Sequence, residues 1–248
     1  MIRGGSWRPV NAPGYTQGMP PAPRRYSILN PGDLAIIQER ERALNRVLRR
    51  HGYSTLEGVR VFEAGCGGGY NLRMFQQWGC APPDLAGIDI DEWRTGQIRE
   101  SSPGIRVHTG SAVAIPESDG AFDISVAFTL FSSVPDDATS AAIAAEMFRI
   151  TRTGGLILVY DMRRRSPRNP VVHPISDDDV RRWFPACRPK RYRLTLVPPL
   201  ARIVCSRLPA LYGPLAAVPL AKTHTLHVMR RPATSPLAIP MPRNVNDR

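Results

Sequence analysis

Apolar residues along this chain come in short runs separated by stretches with helical spacing. The runs are VRVFEA (59–64), LAGIDI (85–90), IRVHT (105–109), FDISVAF (122–128) and GLILVY (155–160). Helical spacing fills the gaps near 70–78, 92–100 and 137–152. This alternation predicts an α/β fold, a doubly wound parallel sheet with helices on both faces. Two later runs, YRLTLV (192–197) and THTLHVM (223–229), predict two more strands. An apolar stretch broken by prolines, 198–222, is inserted between them.

Ahead of the first strand the pattern predicts a helix from Pro31 to Arg50. Asn30 suits the N-cap, Pro31 the first helical position and Gly52 the stop. Leu34, Ile37, Leu44 and Leu48 give this helix an apolar side. Ser176 and Asp179 form a capping-box pattern at the start of another short helix. Residues 1–25 and 232–248 are Pro-rich and are expected to be disordered tails around one domain, 26–231.

The first run leads into VFEAGCGGGYNL (61–72), a strand followed by a glycine turn. Such turns usually cradle phosphates, yet here Glu63 stands two residues before the first glycine. The spacing is G-x-G-x-G at Gly65, Gly67 and Gly69, whereas the dinucleotide fingerprint needs glycine where Tyr70 stands. A carboxylate is badly placed beside a pyrophosphate and well placed beside an ammonium group. Asp89 ends the next strand, 24 residues after Gly65, where an acid can accept from both ribose hydroxyls, and Ile90 can lie against a base. A ribose, a base, an amine and no phosphate describe S-adenosyl-L-methionine.

Taken in order, VFEAGCGGG, GIDID, HTGSAVAIP, GAFDISVAFTLFSSVPD and EMFRITRTGGLILVYD resemble class I S-adenosylmethionine-dependent methyltransferases over about residues 55–230. The likeness is to the small-molecule branch that includes quinone-biosynthesis enzymes. It implies a Rossmann-like seven-stranded sheet ordered 3-2-1-4-5-7-6 with strand 7 antiparallel. It also implies that Glu63 lies near the methionine end of the cofactor, Asp89 holds the ribose and Ile90 covers the adenine face. Ser111 and Ala112 would meet the adenine edge, and Phe128 would form a wall after the fourth strand. The family usually carries aspartate where this chain has Ser111, a shorter and uncharged acceptor. A methyltransferase-like binding module without turnover, and a nicotinamide-dependent oxidoreductase, are the alternative readings. The segments FTLFSSVPDD, YDMRRRSPRNP and RLTLVPPLAR are similar to bacterial methyltransferases of glycan and polysaccharide biosynthesis, which implies a small-molecule, glycan-type or lipid-linked hydroxyl acceptor.

Composition narrows the picture further. No run of about 18 apolar residues predicts a membrane span. Four scattered cysteines without a CxxC pair argue against a zinc site or a disulfide framework and for a reduced, cytoplasmic setting. The formal net charge of +12 rests almost wholly on arginine, since only Lys190 and Lys222 are lysines. No aromatic-interleaved basic motif accompanies it, which argues against nucleic acid. Peripheral membrane contact through 198–222, with Arg202, Arg207 and Lys222 among apolar residues, is a further expectation.

Methyl transfer to a hydroxyl needs alignment and a base for its proton. His224, at the start of the last strand, is the expected base, with Asp161 at the end of the fifth strand orienting it. His227 would point away, and His173 in the loop RNPVVHPIS is the next candidate. The arginine run MRRRSPRNP (162–170) lies at the same end of the sheet, where it can hold a phosphate or carboxylate of the acceptor.

Overall fold

The computed structural model describes residues 28–165 and 172–233. The expected tail 1–25, nearly all of the expected tail 232–248 and much of the arginine loop, 166–171, lie outside the described residues. The elements run α1 (Pro31–Arg50), β1 (Val61–Ala64), α2 (Tyr70–Gln77), β2 (Leu85–Asp89), α3 (Glu92–Ser101), β3 (Arg106–Thr109) and β4 (Phe122–Phe128). They continue with α4 (Asp137–Ile150), β5 (Thr151–Met162), α5 (Asp177–Trp183), β6 (Lys190–Leu196), α6 (Pro198–Cys205), α7 (Tyr212–Ala216) and β7 (Lys222–Arg230).

The seven strands form one sheet in the order β3-β2-β1-β4-β5-β7-β6, as expected. β1 to β5 are mutually parallel, and β7 runs antiparallel to β5 and β6. Side chains alternate across the sheet and build two cores. One packs Leu44, Leu72, Phe75 and Ile98 against Val61, Ile124 and Leu156. The other packs Phe131, Met147 and Trp183 against Phe62, Phe122 and Ile157. A register shift between Phe122 and Ile124 places these two residues in opposite cores despite their even spacing.

Local signals account for α1: Asn30 Oδ1 accepts from the Gly32 N–H at 2.9 Å, and Pro31 opens the helix. Its buried face is broader than the apolar stripe predicts, because it includes Asp33 and Glu39. Glu39 accepts from the Thr195 N–H (3.0 Å), Tyr212 hydroxyl (2.7 Å) and Lys222 ammonium (3.0 Å). Gly32 permits the crossing with α6, since a Cβ there would lie 2.5 Å from the Arg202 Cα. The 198–222 insert thus packs on α1 and β6 through Ala201, Cys205, Tyr212 and Ala216. Among the described residues, no helix is long and apolar enough to cross a membrane.

Candidate active site

The glycine turn after β1 lies at the carboxyl end of the parallel strands, where open α/β sheets bind ligands. Gly65, Gly67 and Gly69 all adopt left-handed backbone, with φ of 69°, 50° and 76°. Gly67 turns its N–H to Asp89 Oδ2 at 2.8 Å, and the Asp91 N–H donates to Asp89 Oδ1 at 3.0 Å. Each Asp89 oxygen has one lone pair engaged and one left for a further donor, which fits a ribose diol. Ile90, directly after β2, and Val113, in the loop after β3, leave large apolar side chains exposed. Between them the Gly110 N–H donates to the Asp89 carbonyl at 2.9 Å, so exposed Ser111 and buried Ala112 follow the end of β3 beside β2.

Glu63 is buried on β1. Its Oε1 accepts from Asn71 Nδ2 at 2.6 Å, and Asn71 Oδ1 accepts from Arg40 Nη2 at 3.0 Å. Among the described residues its Oε2 has no hydrogen-bond partner. Burial pushes the carboxyl up to about 8, against the opposing effects of the Asn71 hydrogen bond and the Arg40 charge. A buried, unpartnered carboxyl oxygen calls for a donor, and a cationic one would restore its ionised form. The residues present therefore fit the amine of S-adenosyl-L-methionine.

Arg40, which holds Asn71, also meets an aromatic wall. The Arg40 guanidinium lies 5.1 Å from the Phe128 ring centre, 5.7 Å from that of Tyr160 and 5.8 Å from that of Tyr70. His224 stacks on Tyr160, with centres 4.9 Å apart and planes within 6°. Tyr160 in turn shares a hydrogen bond with Thr195 Oγ1. The two non-glycine residues with left-handed backbone among those described are Thr129 (φ 52°), directly after Phe128, and this same Thr195 (φ 69°). β-Branched residues pay about 1–3 kcal/mol for that conformation, and both instances adjoin the aromatic wall.

The structure does not bring the expected catalytic pair together. Met162 faces His224 and Asp161 faces Thr225 across the β5–β7 ladder, so Asp161 and His224 emerge on opposite faces of the sheet. Asp161 is fully buried and accepts from the Ser132 N–H (3.1 Å) and the Met162 N–H (2.7 Å). It anchors the turn after β4, and burial pushes its carboxyl up to about 6. His224 Nδ1 pairs with Thr223 Oγ1 at 2.9 Å, and burial followed by the Arg40 charge pushes the imidazole down to about 4. His227 lies on the other face and bonds Asp177 at 2.9 Å. His173 is exposed, with its N–H on the Ser132 carbonyl at 2.8 Å.

Arg40, Asn71 and Tyr160 are site residues that the sequence reading passes over. Arg40 sits on a helix 31 residues before Asn71 and carries no motif. Asn71 follows Tyr70 in the first turn of α2, so its proximity to the end of β1 could have been anticipated.

A family profile described as "Methyltransferase domain" matches residues 61–155. The chain is 31% identical over 114 residues to the ubiquinone biosynthesis O-methyltransferase of Aromatoleum aromaticum, covering 44% of this chain and 46% of that protein. It therefore spans about half the length of the curated relatives it matches. A geranyl diphosphate C-methyltransferase from Streptomyces coelicolor, solved with Mg2+, geranyl-S-thiolodiphosphate and S-adenosyl-L-homocysteine, superposes with a TM-score of 0.59 at 16% identity. That match covers 87% of this chain and 83% of the other. The fold is that of the class I methyltransferases. The same fold also matches the [4+2]-cyclase SpnF, with a TM-score of 0.53, 16% identity and coverage of 78% and 83%.

Proposed function

We propose that this chain binds S-adenosyl-L-methionine and transfers its methyl group to a small molecule, with a hydroxyl on a glycan-type or lipid-linked acceptor as the favoured target. The observation that carries the reading is Glu63, whose buried Oε2 faces no donor among the described residues while Asp89 waits at the end of the adjacent strand. Glu63 takes the amine, Asp89 the ribose and Ile90 one face of the adenine, with Ser111 and Ala112 at its edge. Tyr70 in place of a third fingerprint glycine argues against a dinucleotide. When bound, the cofactor supplies an electrophilic methyl on a neutral leaving group. The chain's own contribution is alignment: Arg40 and Asn71 hold Glu63, and Phe128, Tyr160 and His224 wall the acceptor side.

His224 is neutral near pH 7 because its conjugate acid is disfavoured, so its imidazole can accept a hydrogen bond from an acceptor hydroxyl. Without a carboxylate beside it, it is a weaker base than a paired histidine. The glycan-type acceptor rests on the likeness of the 128–137, 160–170 and 193–202 segments alone.

Calorimetry with the cofactor, or with its demethylated product, tests the reading. Asp89→Ala is expected to weaken binding by about 1–3 kcal/mol, the range for leaving polar partners unmatched. Equal affinity for NAD, or an unchanged affinity in Asp89→Ala, would overturn it. A match to a protein named as a cyclase shows that this fold is not tied to one reaction, which favours a second reading, in which this chain binds the cofactor without turnover. Cofactor binding with no labelled methyl appearing in any component of a metabolite extract would favour that reading.

A further inference from the structure

From Val180 to Asn246 the chain contains 12 basic and no acidic residues, so the whole formal charge of +12 resides there. Part of it is neutralised locally: Arg202 pairs with Asp33, Lys222 with Glu39 and Arg191 with Asp177. Arg181 and Arg182 pair with carboxylates on and beside α5. Arg230 lies at the end of β7 away from the insert, which leaves a smaller set of cations beside α6 and α7. Arg207 is exposed between the two helices, and Arg193 is exposed on β6, the edge strand from whose end at Leu196 the insert leaves. Arg163 grips the carbonyl of Lys222, where the insert returns to the sheet. Burial and then the charges of Arg193 and Arg164 oppose its protonation, a sign of like charges held together.

The same insert turns aliphatic side chains to solvent. Ala201 and Cys205 of α6, and Tyr212 and Ala216 of α7, are buried against α1 and β6. That leaves Ile203 (61% exposed), Leu208 (59%), Leu211 (44%), Val218 (46%) and Leu220 (74%) uncovered. Ile28 and Leu29, at the start of α1 beside α6, are exposed too. A groove of about 330 Å³ between α1 and the insert is lined by Leu34, Ala35, Cys205, Pro209 and Tyr212.

We infer that the α6–α7 face docks on a lipid bilayer carrying anionic headgroups. Aliphatic side chains able to enter the acyl boundary, flanking cations for the headgroups and a complete absence of carboxylates are what an interfacial segment requires. A second copy fits poorly, since two such faces would bring like charges together. Nucleic acid also fits poorly, because the exposed apolar residues are aliphatic and offer no stacking platform. The proposal does not depend on the methyl-transfer reading.

Flotation with vesicles of phosphatidylcholine alone, and with about one third phosphatidylglycerol, tests it at low and at physiological salt. The anionic vesicles should bind the protein at least tenfold more tightly. Leu208→Asp with Leu220→Asp should reduce that binding at least tenfold with an unchanged melting profile, and the milder Arg207→Gln should weaken it severalfold. Failure to float with anionic vesicles would overturn the proposal, as would binding that survives both aspartates. Concentration-dependent dimerisation abolished by the aspartates would instead assign the face to a second copy. Duplex DNA bound as tightly as the anionic vesicles, and equally well by the aspartate variant, would assign the charge to nucleic acid.

Discussion

The two halves of the sheet differ in how they treat charge. The half built on β1 to β4 directs a few carboxylates inward: Glu63 lies buried on β1, and Asp89 is held by backbone N–H groups at the end of β2. The half built on β6, the insert and β7, residues 190–230, holds seven basic and no acidic residues and turns most of them outward. The methyltransferase-domain profile covers residues 61–155, so it takes in all of the first half, ends within β5 and reaches none of the second. The contrast teaches that the first half keeps its carboxylates where a ligand can meet them, at the strand ends, and the second turns its charge to the surface. The aromatic wall draws on both, with Phe128 on β4 and His224 on β7.

The strongest way to break this comparison is to detach the second half. Glu39→Ala removes the one acceptor shared by Thr195, Tyr212 and Lys222 and leaves a buried ammonium unpaired. It should cost about 3 kcal/mol in denaturant unfolding. Cofactor affinity in the folded variant should stay within about twofold. A parallel collapse of cofactor affinity would show that the halves are one functional unit.

His224→Ala should lower turnover about 100-fold with cofactor affinity nearly unchanged. With the imidazole pushed down to about 4, the pH–rate profile should show no limb from this group near 6.5. A limb there, abolished in His224→Ala, would mean that acceptor binding supplies the missing carboxylate partner.

Glu63 gives a smaller effect, with a definite sign. Its folded pKa is raised from 4.5 to about 8, so the free protein gains stability from its proton at low pH. That gain declines as pH rises from about 4.5 towards 8. A cationic ligand displaces the proton, so affinity should increase by up to about tenfold per pH unit within that window. Calorimetry in buffers of different ionisation enthalpy should detect proton release near pH 7, and Glu63→Gln should show none. The mildest change is Ser111→Asp, which adds a charged acceptor at the adenine edge and should tighten cofactor binding severalfold. Complete loss of binding in a folded Ser111→Asp protein would misplace that loop.

Elements governed by neighbouring residues were legible in the sequence. Asn30, Pro31 and the α1 limits follow from capping chemistry within a few residues, and the Ser176 box forms as predicted. Strand order came through the resemblance. Strand ends read less well: β5 begins at Thr151 rather than Gly155, because Arg231 returns to hydrogen-bond with the Arg149 and Thr151 carbonyls and the Gly155 carbonyl receives its N–H. The Asp161–His224 pairing failed for a sharper reason. A one-residue difference in register moves a side chain to the other face, and register between β5 and β7 is set by packing that no local pattern encodes. Arg40 and Glu39 escaped notice because exposed and buried polar residues on a helix look alike until their partners, up to 183 residues away, are known.

The place of β7 in the sheet has a bearing on synthesis. This last strand lies between β5 and β6, so β6 has no sheet neighbour until β7 has been made. As the chain leaves the ribosome, β5 presents an open edge of buried apolar residues, Leu156 to Tyr160, for roughly seventy residues of elongation. Unpaired apolar edges recruit other strands. The nascent protein is therefore exposed to aggregation while the segment between β5 and β7 is being made, and a ribosome stalled before residue 222 would hold it in that state.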